Sequence, residues 1–171
     1  MPRFFAANEV EGPAFQHFDV CNELQPHHTR ARIAYAGDVS LNWNSGALAE
    51  GLRCYRTEQF WLAHEHWESV WLHLEEPEKN FLQGMIQTTA AFHHLQAGNI
   101  RGAASLLRKA LERLAPYAAS FGGIHLALLR NEATAWLRAL ERGTESRPAS
   151  FPRIHPLDPP STPARPLTPD P

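Results

Sequence analysis

Cysteine is nearly absent from this 171-residue chain: Cys21 and Cys54 are the only two, far apart and in no metal or redox spacing. Neither a disulfide scaffold nor a cysteine zinc site is expected, and Cys54 reads as buried filler. An apolar run of the ~18 to 20 residues needed to cross a bilayer is also missing, so no membrane partner is expected. The opening MPRFFAANEVEGP has no continuous apolar segment and no small-residue cleavage site, so it does not read as a secretory signal and the expectation is cytoplasmic. Charge of one sign is lacking too. Sixteen basic residues face eighteen acidic ones, net −2, with no basic stripe that would track phosphates, so no nucleic-acid partner is expected. Glycine-rich phosphate loops, a nucleophile elbow and period-two alternation are likewise missing, which removes the common nucleotide-binding, serine-hydrolase and sheet signatures.

What is present divides the chain in three. Nine of the fourteen prolines fall within residues 144–171, a stretch poor in aliphatic side chains and without periodicity. Such a tail cannot bury enough surface to offset its ordering entropy, so 144–171 is expected to be mostly disordered, with a docked proline-rich peptide as the functional alternative. Residues 1–44 read as an irregular arm carrying Phe4, Phe5, Phe15 and Phe18. Between them, 45–143 shows helical periodicity and balanced charge, as a single domain should.

Five helices are expected in that domain. The first runs from Gly46 to Tyr55 after a cap at Ser45, and the second from Glu58 to Leu74 after Thr57. Pro77 and Glu78 suit the start of a third, which reaches Ala97 with Gly98 as terminator; Asn99 caps a fourth. Ile100, Ala103, Leu107, Ala110, Leu111 and Leu114 form its core-facing stripe. Leu126, Leu129, Ala133, Trp136, Leu137 and Leu140 do the same in a fifth that ends at Gly143. The fold class is therefore all-α, a compact antiparallel bundle of about five helices with short loops. Arg101, Arg108, Lys109 and Arg113 read as the solvated side of the fourth helix.

Helical wheels locate the chemistry. Counting from Phe60, Trp67, Trp71 and His64 fall within about 40° of the core direction and Glu68 near 80°, while Glu65 at about 140° and His66 turn toward solvent. Counting from Leu82, His93 and Ile86 face inward, and Gln83, Gln87 and His94 gather at roughly 100 to 140°. Two adjacent helices thus each turn an imidazole inward, with a carboxylate and two amides at the rim.

At these residues the chain resembles a family catalogued as domain of unknown function 309. His64, Glu65, Glu68 and Trp71 in AHEHWESVW match its His-Glu-x-x-Glu-x-x-Trp signature. Leu82, Gln83, Gly84, Ile86, Gln87 and His93 match in LQGMIQTTAAFHH, and Gly98, Asn99, Gly102 and Ala103 in GNIRGA. The resemblance covers roughly 46–142 and implies a small all-helical fold without implying an activity. His125 stands where the family usually places an aspartate, so a good N-cap is missing at the start of the last helix.

Three readings of the polar cluster compete. The first is structural, with His64, Glu68 and the amides satisfying one another. The second is a binding site for a small ligand or protein partner formed by His64, Glu65, Glu68, Trp71, Gln83, Gly84, Gln87 and His93, where Gly84 lets a ligand or helix approach the backbone. The third is a single divalent metal ion held by His64, Glu68 and His93, as in a metal-dependent hydrolase. His64-Glu65-x-x-Glu68 misses the zinc-protease pattern by one residue, and no Glu-x-x-His pair is present for a di-iron centre. The expectation is a binding or interaction module without a cofactor, with the metal hydrolase as alternative.

Overall fold

The computed structural model describes residues 41–143 and 147–157, all within one unit, Arg32–Pro171. Among the described residues there are five helices: α1 Gly46–Arg56, α2 Phe60–Trp71, α3 Glu78–Gln96, α4 Ile100–Leu114 and α5 Leu126–Arg142. Packing follows chain order, α1 on α2, α2 on α3, α3 on α4 and α4 on α5, with α3 in the middle. That explains why α3 carries twelve buried residues while its neighbours bury one stripe each. Among the described residues there is no strand, only isolated bridges, so the all-α bundle holds.

The apolar stripes do what their spacing requires. Ala103, Leu107, Ala110 and Leu114 of α4 are buried, as are Leu126, Leu129, Ala133, Trp136 and Leu140 of α5; Ile100, at the first turn of α4, is 41% exposed. Caps account for several boundaries. The Asn99 side chain accepts from the Gly102 N–H at 2.9 Å, satisfying an orphan donor of the first turn. A Cβ at Gly102 would lie 2.5 to 3.0 Å from that same side chain, which accounts for both residues of the GNIRGA motif. Gly143 closes α5 in the left-handed region at φ 62°.

Other boundaries differ from the sequence expectation. Ser45 occupies the cap position of α1 with extended backbone, but its side chain makes no capping bond. The second helix begins at Phe60, because Glu58 sits at φ +60° and cannot belong to a right-handed helix. Thr57 closes α1 instead, its hydroxyl donating to the Arg53 and Cys54 carbonyls at 3.1 Å. α5 starts at Leu126 without a side-chain cap; the His125 N–H donates to the His155 carbonyl at 2.9 Å, so a distant residue meets that demand.

That last bond belongs to the largest difference. Residues 147–157, expected within a disordered tail, lie against the helices. Ile154 is 3% exposed, and the Phe151 ring packs among Phe60, Phe92 and Trp136 at centroid distances of 4.8, 5.0 and 5.1 Å. Two apolar anchors supply the burial that composition alone did not reveal. Trp43, assigned from sequence to the irregular arm, is 3% exposed and donates to the Gly122 carbonyl at 2.6 Å. The remainder of the expected arm and tail, 1–40, 144–146 and 158–171, lies outside the described residues. No helix among the described residues is long and apolar enough to cross a membrane.

Candidate functional site

The indole of Trp67 anchors α2 and thereby orients its polar face. It is fully buried, edge-on to Trp43 at 5.6 Å and stacked with Tyr55 at 5.9 Å, and its N–H donates to the Leu48 carbonyl. Gly51 of α1 makes room for it, since a Cβ there would lie 2.2 Å from the indole nitrogen. One turn earlier His64 points inward, as the wheel requires, and is 3% exposed. Trp61, three residues before it, stacks parallel on the imidazole at 5.3 Å and 9°. His93 of α3 lies 5.5 Å from the same indole ring, so one tryptophan is shared by the two inward imidazoles.

Both carboxylates of the motif converge on His64. A Glu68 oxygen lies 3.9 Å from Nδ1, and a Glu65 oxygen lies 3.3 Å from it although the Glu65 side chain is 46% exposed. The wheel placed Glu65 in solvent because it tracks the Cα–Cβ direction; two further side-chain torsions bring the carboxylate back across the helix surface. One donor atom each from His64, Glu65 and Glu68 lie within 4.8 Å of one another. That group lies on α2 alone; His93 of α3, which the wheel set beside His64 and Glu68, is not part of it.

His93 and His94 are half-buried on α3. Burial, and secondarily the neighbouring His64, pushes His93 below the ordinary histidine value; burial and then His93 do the same to His94. The His94 imidazole meets the Asn99 amide at 3.0 Å, tying the end of α3 to the cap of α4.

The amides go elsewhere. Gln87 is 4% exposed and its carbonyl oxygen accepts from Arg113 of α4 at 3.3 Å. Arg113 also donates to Asn80, whose amide donates to the Tyr117 hydroxyl, which donates to the Pro77 carbonyl. Arg113 is therefore a polar cross-link between α3 and α4 and not part of the solvated face to which sequence assigned it. Gln83 is partly exposed on the same helix. Gly84 has a packing role: a Cβ would lie 2.7 Å from Leu114 of α4, so a helix occupies the approach that a ligand could have used.

Trp71 behaves differently from Trp67. It is partly exposed, Lys79 Nζ lies 5.0 Å from its ring centroid, and its buried indole N–H has no acceptor among the described residues. Sequence reasoning did not assign Trp61 to the site, although its position three residues before His64 puts the two on one helix face.

The family described as Domain of unknown function (DUF309) has a model that matches residues 48–106, about a third of the chain. AHEHWESVW, LQGMIQTTAAFHH and GNIRGA all fall inside that span. No curated protein matches the chain.

Proposed function

We propose that this chain is a small helical binding module, and that the polar turn of α2 takes a divalent cation. The observation that supports this is the convergence of three donor atoms, from His64, Glu65 and Glu68, within 4.8 Å beside an imidazole that is 3% exposed. An imidazole and two carboxylates form a mixed donor set of the kind that holds zinc or manganese. Three protein ligands on one helix turn would leave coordination positions for water or for a partner's acidic group, which fits an interaction role. The half-exposed Glu65 gives an ion a route in, and the stacked Trp61 holds the imidazole plane. A hydrolase built on His64, Glu68 and His93 receives no separate support, because the converging group contains Glu65 in place of His93.

The test is thermal unfolding of protein purified without an affinity tag, with chelator and with zinc or manganese. An ion at a hundred times its dissociation constant stabilises by about 2.7 kcal/mol. The parent should melt higher with metal, and His64→Gln and Glu68→Gln should hardly respond. If parent and variants are equally insensitive, with His64→Gln less stable, the cluster serves folding alone and the reading fails.

A further inference from the structure

The segment 147–157 is held differently from a loop that merely covers apolar surface. Its main-chain groups are bonded in turn by helix side chains. The Trp136 indole N–H donates to the Ser150 carbonyl at 2.9 Å, the Tyr55 hydroxyl donates to the Pro152 carbonyl at 2.8 Å, and the Arg153 N–H donates to a Glu132 carboxylate oxygen at 2.6 Å. Between the first two contacts sits Phe151, stacked on Trp136 with an interplanar angle of 7° and meeting Phe60 and Phe92 edge-on. Proline at 152 has no N–H to satisfy there, and Ile154 fills the next buried position. Aromatic donors that take main-chain carbonyls, beside cages that take alternate side chains, are how grooves recognise proline-containing peptides.

Further features describe the segment. It follows the left-handed end of α5 at Gly143 and, like α5 itself, lies outside the residues 48–106 that match the family model. It carries prolines at 148, 152 and 156, which restrict the unbound chain and reduce the entropy lost on docking. Beside the groove, an open pocket of about 340 Å³ lies between the segment and the end of α1, where Tyr55, Arg56 and Glu58 line it.

We propose that the groove lined by Tyr55, Phe60, Phe92 and Trp136 is a peptide-recognition site for the pattern aromatic-Pro-x-branched aliphatic, which Phe151–Ile154 occupies in cis and a partner protein bearing that pattern occupies in exchange. The cis segment competes at the high effective concentration of a tethered ligand, so it sets a threshold that a partner must exceed. This site is separate from the α2 polar turn and stands or falls independently of it.

The experiment uses the full chain and the double variant Phe151→Ala/Ile154→Ala, which empties the cage without touching its walls. The probe is a fluorescent synthetic peptide of residues 148–157, followed by anisotropy, with a control peptide in which Phe151 is Ala. The variant should bind the probe saturably with one-to-one stoichiometry, the parent at least about tenfold more weakly, and the control peptide should not bind the variant. If the variant loses helical circular dichroism, recovery on adding the probe supports the proposal, and failure to recover overturns it. A folded variant that takes no probe also overturns it, as does equal uptake by parent and variant. A concentration-dependent dimer that takes no peptide would assign the groove to a second copy of this chain and overturn the partner reading.

Discussion

At the scale of single residues, the histidines differ by environment more than by position. His64 is closed in by Trp61 and faced by two carboxylates, whereas His93 and His94 are half-buried and depressed chiefly by burial. A histidine depressed in the fold resists a proton that the unfolded chain accepts, so unfolding takes up protons as pH falls. The contribution of this pair is fully present above about pH 6.5, the ordinary histidine value, and is lost as pH falls through the depressed folded values. Melting temperature should therefore fall between pH 7 and pH 5, and His93→Gln/His94→Gln should show a shallower fall. The other histidines and the carboxylates are common to both proteins, so the difference in slope isolates the pair. Equal slopes would mean that these imidazoles are not desolvated in the fold. Tyr55 is shifted the other way: burial, then Glu132, pushes its phenol up, which keeps it a hydrogen-bond donor to Pro152.

Helix pairs are specified by small residues where two helices come closest. Gly51 admits Trp67 between α1 and α2, and Gly84 admits Leu114 between α3 and α4. At Gly84 the contact is with the branched end of a side chain that is itself 1% exposed, so Leu114 has little space to retreat into. Gly84→Ala is expected to cost about 1 to 3 kcal/mol as an overpacking change, despite the better helix propensity of alanine. Urea unfolding of Gly84→Ala and of Gly84→Ala/Leu114→Ala checks this. Shortening Leu114 makes space for the new methyl, so the two changes together should cost less than the sum of each alone. Strict additivity would show that the approach of α4 is not what requires glycine. On the same pair of helices Arg113 donates to Gln87 and Asn80, a polar cross-link between α3 and α4.

On the scale of the whole molecule, the packed unit extends past its last helix. Phe151 and Ile154 complete a core that α1, α2, α3 and α5 leave open, and the His155 carbonyl meets the first N–H demand of α5. Ending the chain at Gly143 uncovers Phe60, Phe92 and Trp136. At about 1.5 to 3 kcal/mol for each of the two anchors, Phe151 and Ile154, no longer withdrawn from water, the loss should be about 3 to 6 kcal/mol. Circular dichroism should show helices that persist at low temperature and melt cooperatively well below the full chain. A melt unchanged by the truncation would mean that residues 147–157 contribute no net stability.

Helix count, most helix ends and the buried stripes were legible in the sequence, because periodicity, caps and glycines act within a few residues of where they stand. Asn99, Gly143 and the α5 stripe are of this kind. So was the inward turn of His64, since direction from the helix axis follows from residue number alone. The partners were not legible. Glu65 reaches His64 through its side-chain torsions, Gln87 finds Arg113 twenty-six positions away, and Trp43 finds the carbonyl of Gly122 seventy-nine away. Composition marked 144–171 as unable to form a core of its own, but it could not indicate that a groove formed by four helices would accept Phe151 and Ile154. Local propensity is a property of neighbours in sequence; which distant groups meet is decided by tertiary packing, which exists only once the helices have docked.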